Sequence, residues 1–137
     1  MKKHLPLVLK IIVAFILLQT LFFKFTGAQE SVDLFTKVAG NENEKIMRIG
    51  TGILELIAAI LLFTPNKAWL GALLSSGVMG GAIMSHLTVL GIIHNNDGGT
   101  LFISAIVVLA ISSFLLIFDK GKIPLFDKKC NYLICYL

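Results

Sequence analysis

Charged side chains are scarce in this chain of 137 residues. Only 15% of the residues are Asp, Glu, Lys or Arg, whereas a soluble globular domain carries about 25%. Hydrophobic residues make up 56% of the chain, and the mean hydropathy is +0.87. This composition excludes an ordinary soluble domain, and the length allows a single domain.

Several chemical signatures are also missing. The chain has no phosphate-binding loop, no HExxH, no GxSxG and no histidine pair placed to ligate haem. Its two cysteines, Cys130 and Cys135, are not spaced as CxxC, and no nearby histidine completes a metal set. No metal and no catalytic set is therefore predicted, and the chain alone does not resemble a thiol oxidoreductase.

The net charge of +4 does not indicate nucleic acid binding. Much of the positive charge lies at the two ends of the chain, at Lys2, Lys3, Lys120, Lys122, Lys128 and Lys129. These lysines flank apolar segments and form no basic face with interleaved aromatics, so nucleic acid is not a predicted partner. Together with Lys67, they favour a topology with both termini in the cytoplasm. Four positive residues at the opposite end of the spans favour the reverse orientation.

Four apolar stretches are about long enough to cross a bilayer, at residues 5–23, 46–63, 69–93 and 101–118. They predict an all-α, four-helix transmembrane bundle over residues 1–118, followed by a basic, partly apolar cytoplasmic tail at 119–137. The first stretch also has features of a signal peptide, because Thr26-Gly27-Ala28 resembles a cleavage site. Its apolar core of roughly 19 residues exceeds the usual 7–15, which favours a transmembrane helix.

A short amphipathic helix is predicted in the first outer loop, at residues 31–40. Ser31 can cap its start, Asp33 lies in its first turn, and Gly40 can end it. We expect this helix to lie at the membrane surface and to cover one end of the bundle.

Small residues predict where helices pack closely. Gly77, Gly81 and Ser85 repeat every four residues along the third span, so a neighbouring helix is expected to pack along them. The alternative is that the same stripe lines a ligand cleft. Gly52 has the same predicted packing role on the second span, where it shares one face with Arg48 and Glu55.

Glu55 lies near the middle of the second span. An ionised carboxylate at that depth costs several kcal/mol, so it should face the protein interior, find a partner or stay protonated. At 1.5 Å per residue, Glu55, His86 and Gln19 lie roughly 13, 10 and 7 Å below the outer surface. The residues expected to converge in the outer half are Gln19, Lys24, Arg48, Glu55, His86 and Ser104.

Two interpretations of this cluster remain open. In the first, Glu55 pairs with Lys24 or Arg48, and His86 completes a buried network that fixes the helices. In the second, the same groups line a site that binds a carbonyl-bearing lipophilic ligand or relays protons. Outside the cluster, His94 is expected to be a solvent-facing residue at a helix end.

Three stretches give the chain a family resemblance: Phe-Phe-Lys24-Phe-Thr-Gly27, the face formed by Arg48, Gly52 and Glu55, and Met-Ser-His86-Leu-Thr. Over about residues 5–118 the chain resembles the DoxX and DoxX-like family of small bacterial membrane proteins. The resemblance implies a four-helix bundle in the bacterial cytoplasmic (inner) membrane, with Lys24, Arg48 and Glu55 at the family's charged positions.

The resemblance also implies a function. Some members of the family are associated with quinone-linked oxidation of sulfur compounds or with membrane oxidoreductase complexes. The expected role is therefore an accessory or core subunit of a quinone-linked membrane redox system, with quinone as ligand and other redox subunits as partners. The alternative is a non-catalytic bundle that supports the assembly or stability of partner membrane proteins. A homodimer is compatible with either.

Overall fold

The computed structural model describes residues 4–94 and 96–119. These residues form five α-helices and one π-helical segment, with no strand among them: α1 (Leu5–Thr26), α2 (Gln29–Ala39), α3 (Glu44–Phe63), α4 (Ala68–Ser85), the π-helical segment (His86–Leu90) and α5 (Thr100–Phe118). Four of them, counting α4 with the π-helical segment as one, are long and apolar enough to cross a membrane. The all-α, four-span prediction is confirmed. The tail with Cys130 and Cys135 lies outside the described residues.

Two spans end at a glycine with a positive φ. Helix α1 continues to Thr26 and ends at Gly27, whose φ is +67°. The predicted span ends at Phe23, the residue before the charged Lys24. The helix continues because the Lys24 side chain turns into the bundle, where it pairs with Glu55. The π-helical segment ends before Gly91, whose φ is +78°, so the third span is shorter than predicted.

Helix α2 lies where the amphipathic helix was expected, but it begins earlier. Its first residue is Gln29, so Ser31 is a buried residue inside the helix and does not cap it. Asp33 consequently lies beyond the first turn, where its carboxylate accepts a hydrogen bond of 2.8 Å from the Gln29 side chain. The predicted end at Gly40 is confirmed, since the Gly40 N–H closes the helix on the Thr36 carbonyl at 2.9 Å.

The spans pack in the order α1, α3, α4, α5, and α5 returns to contact α1. Helix α2 lies over α3 and the π-helical segment. The core between the spans consists of apolar side chains and alanines that are almost fully buried, among them Val13, Leu17, Ala58, Leu62, Val108 and Leu115.

The bundle is tightest where α3 meets α4. A Cβ atom added to Gly71 would lie 2.6 Å from the Leu62 nitrogen and 2.7 Å from the Ala58 oxygen. Only glycine permits this approach of the two backbones. One turn further along α4, the hydroxyls of Ser75 and Ser112 lie 3.2 Å apart and are fully buried.

The predicted stripe of close contacts on the third span requires correction. Gly77 and Gly81 are exposed, and a Cβ atom added to either would meet nothing within 4 Å. Gly77 and Gly81 lie six and ten residues beyond Gly71, and so on a different face of α4 from the one that meets α3 so closely. Gly52 does pack closely as predicted, because an added Cβ there would lie 3.3 Å from the Leu21 side chain of α1. Helix α4 is left without a close neighbour along Gly77, Gly81 and Ser85, and these three residues line a cavity.

Candidate functional site

A cavity of about 380 Å³ lies between the five helices in the half of the bundle that α2 covers. Its walls are mainly apolar, and Leu17, Leu34, Phe35 and Val78 contribute to them. The polar side chains in the lining are Thr20, Lys24, Glu30, Ser31, Thr51, Glu55, Ser85, His86 and Ser104. The volume and this mixture are typical of small-molecule sites.

An ion pair joins α1 to α3 at the cavity wall. The Lys24 ammonium donates to both carboxylate oxygens of Glu55, at 2.6 and 2.7 Å. The Glu55 side chain is only 2% exposed and that of Lys24 13%. The Thr20 hydroxyl lies 3.2 Å from Glu55 Oε2 and 2.9 Å from the Leu17 carbonyl. Of the two partners that the sequence left open for Glu55, the structure selects Lys24.

Arg48 lies beside this pair and has a different partner. Its guanidinium donates to the Glu44 carboxylate one turn away and to the backbone carbonyl of Lys24 at the end of α1. A cation is favourable there because the last carbonyls of a helix carry partial negative charge. Arg48 does not line the cavity. It fixes the turn of α1 from which Lys24 reaches Glu55.

His86 is the first residue of the π-helical segment, on the cavity wall. Its Nδ1 lies 2.9 Å from the Gly91 carbonyl oxygen, and its ring contacts Phe102 edge to face at a centroid distance of 5.7 Å. The residue is 3% exposed. Single turns of π-helix frequently occur at functional sites, and here the turn places an imidazole on the cavity wall.

The structure brings Lys24, Glu55, His86 and Ser104 to one cavity, but not Gln19. Ser104 lines the cavity and donates to the Leu101 carbonyl at 2.8 Å. Gln19 is exposed on α1, and Thr20 takes the place expected for it. The depth estimate identified the correct turn of α1, but it did not take into account which face of the helix each residue lies on. Thr20 lies four residues before Lys24 and thus on the same face, a signal that could have identified it.

His94, in the loop before α5, also differs from expectation. It was expected to face solvent, yet it is 2% exposed, and neither ring nitrogen has a hydrogen-bond partner among the described residues. Burial is the main cause that lowers the pKa of His94, and the nearby Lys37 lowers it further. The carboxylates of Asp97 and Asp33 oppose this shift without reversing it.

Asp97 organises the same loop. Its carboxylate accepts backbone hydrogen bonds from His94 at 3.1 Å, Gly99 at 2.8 Å and Leu101 at 3.2 Å. Burial alone would raise the pKa of Asp97, but these three N–H groups outweigh it, so the pKa is lowered. Asp97 therefore holds the start of α5, which carries Ser104 to the cavity.

Comparison with known families gives a match to the model described as the DoxX-like family, which aligns with residues 8–115. That range includes Thr20, Lys24, Glu55, His86 and Ser104, and it covers more than half of the chain. No curated protein and no solved structure matches the chain.

Proposed function

The chain belongs to the DoxX-like family, and we propose that it is an accessory or core subunit of a quinone-linked membrane redox system with its ligand in the cavity. The observation that carries this proposal is a cavity with apolar walls that also contains an ion pair and an imidazole. Quinone as the ligand comes from the family resemblance.

The residues of the cavity fit the two parts of such a ligand. Leu17, Leu34 and Phe35 provide apolar surface for a lipophilic ring and tail. Lys24 has three N–H groups, of which two point to Glu55, so a third can donate to a ligand oxygen. Bound quinone would supply the transfer of two electrons and two protons between membrane enzymes.

Access from the lipid phase supports the proposal. The lining includes Met47 and Leu54 of α3, which are 45% and 43% exposed, and the exposed residues Gly77 and Gly81 of α4. Because these residues belong both to the cavity and to the surface of the bundle, a membrane-dissolved ligand can enter between α3 and α4 without crossing water.

Mass spectrometry of the intact protein, purified in mild detergent, tests this function. We expect a stoichiometric quinone, in its oxidised or its reduced form, in wild type and its loss in Glu55→Gln and His86→Ala, scored on protein whose helical circular dichroism is unchanged. Ser113→Ala is a matched control, because its hydroxyl donates within α5 and lies outside the cavity. Unchanged quinone binding in both cavity variants would contradict the proposal.

A non-catalytic role in assembly is the second candidate, and one observation favours it. Both oxygens of Glu55 already accept hydrogen bonds from Lys24, and Thr20 lies near one of them, as in a purely structural ion pair. This function predicts purified protein without quinone that copurifies with a partner membrane protein. It also predicts that Glu55→Gln lowers the level of the chain or of that partner.

A further inference from the structure

The Gly91 carbonyl fixes the tautomer of His86. Nδ1 lies 2.9 Å from that oxygen, and a carbonyl oxygen can only accept a hydrogen bond. Nδ1 therefore carries the hydrogen and donates it. In a neutral imidazole with its hydrogen on Nδ1, the other nitrogen, Nε2, holds a lone pair and can only accept.

Nε2 is also the ring nitrogen that is left for a ligand. It takes part in no hydrogen bond within residues 4–94 and 96–119, and it is not among the fully buried atoms that lack a partner there. Because His86 lines the cavity, a bound head group can meet a strong acceptor at this atom.

Lys24 and His86 place different demands on such a head group. The third N–H of Lys24 can donate to a carbonyl oxygen or to a hydroxyl oxygen, since both accept. Nε2 of His86 is satisfied only by a group that gives it a hydrogen. A hydroxyl does this, whereas a carbonyl would place two acceptors against each other and leave both unpaired.

We infer that His86 is the specificity-determining residue of the cavity and selects the hydroxyl form of the ligand, the quinol, over the carbonyl form, the quinone. The inference rests on the proposed function, because it concerns which form of the ligand the cavity takes. The quinol gains a hydrogen bond at Nε2, whereas the quinone leaves that acceptor unpaired. We expect this difference to make the Kd for the quinol about tenfold lower.

The variant His86→Asn separates this role from that of the ring in the fold. An asparagine amide nitrogen lies close to the position of Nδ1 and can still donate to the Gly91 carbonyl, but nothing replaces Nε2. His86→Gln instead places its amide near Nε2, where it can turn to donate or to accept. Ser113→Ala again serves as the control outside the cavity.

The test is to titrate the full-length protein in lipid nanodiscs with decyl-benzoquinone and with decyl-benzoquinol kept reduced without oxygen. Both forms are titrated in the same buffer and at the same pH. We expect wild type and Ser113→Ala to bind the quinol about tenfold more tightly, and both His86 variants to bind the two forms with a ratio near one.

Equal binding of the two forms by wild type would overturn the inference and leave the proposed function standing. A quinol preference that persists in His86→Asn would also overturn it. If His86→Asn binds neither form, the ratio in His86→Gln decides, since a value near one supports the inference and a retained preference contradicts it. Failure of wild type to bind either form overturns the inference and the proposed function together.

Discussion

The two halves of the bundle are held together by different interactions. The closed half, around Gly71, Ser75 and Ser112, is held by fully buried side chains and by two helix backbones that lie very close together. At Gly71 a single added methyl group would clash with the neighbouring backbone. The open half, which contains the cavity, is held by charge through Lys24, Glu55 and Arg48. Helix α4 belongs to both: it packs tightly at Gly71 and stands apart at Gly77 and Gly81.

This difference separates the part of the bundle that stabilises the fold from the part that can bind. Close van der Waals packing without voids is one of the main interactions that hold membrane helices together. Buried charges are expensive to desolvate and are typical of functional positions in membrane proteins. The cavity beside the ion pair means that the stabilising contacts of close packing are missing where the ligand is proposed to bind.

The largest effect is expected from breaking the ion pair of the open half. Lys24→Met leaves the Glu55 carboxylate buried without its cation, and removing one partner of a buried pair costs about 3–5 kcal/mol. The double variant Lys24→Met/Glu55→Met should recover most of that loss. The free energy of unfolding in mixed micelles, followed by circular dichroism, measures both. A Lys24→Met variant as stable as wild type would show that charge does not hold the open half.

The closed half should respond to a single methyl group. Gly71→Ala places a Cβ atom within 2.7 Å of two backbone atoms of α3, and we expect a loss of about 3 kcal/mol in the same assay. Gly77→Ala is the matched control on the same helix, where a Cβ atom meets nothing within 4 Å. It should retain the stability of wild type or gain up to about 1 kcal/mol. Equal losses in the two variants would remove the distinction between the halves.

A smaller effect is expected at the loop that closes the open half. Asp97→Ala removes the acceptor for three backbone N–H groups at the start of α5, and the loss should be about 1 kcal/mol at neutral pH. Because the folded state lowers the pKa of Asp97, this stabilisation is present above about pH 4, the ordinary value, and is lost as pH falls through the lower folded pKa. Unfolding measured against pH should show the contribution in wild type and not in Asp97→Ala.

The smallest effect is expected at His94. Its pKa is lowered in the folded state, so the stabilisation linked to it is present above about pH 6.5, the ordinary value, and is lost as pH falls towards the folded pKa. His94→Phe should abolish that part of the pH dependence. At neutral pH it should gain less than about 1 kcal/mol, because it removes a buried ring without partners among the described residues. A wild type and a variant with identical pH profiles would contradict this account.

The sequence predicted the spans and the need of Glu55 for a partner, because hydropathy and the cost of a buried charge are local properties. It missed which residues share an interface. Thr20 and Gln19 are neighbours in sequence, and only the phase of α1 against α3 decides which one reaches Glu55. Gly71 and Gly77 are six residues apart and therefore lie on different faces of α4, and only the packing of α3 shows that Gly71 is at a tight contact and Gly77 is not. The burial of His94 depends in the same way on how the loop folds.

We propose that the open half of the bundle binds the ligand, whereas the tight packing of the closed half stabilises the fold. Gly81→Phe fills the cavity from its rim, where an added side chain meets open space, and Met84→Phe places the same ring on an exposed position of α4 outside the lining. Binding of decyl-benzoquinol, with the melting temperature recorded beside it, compares the two. The account predicts that Gly81→Phe loses binding at an unchanged melting temperature and that Met84→Phe keeps it. Equal binding by the two variants would contradict it.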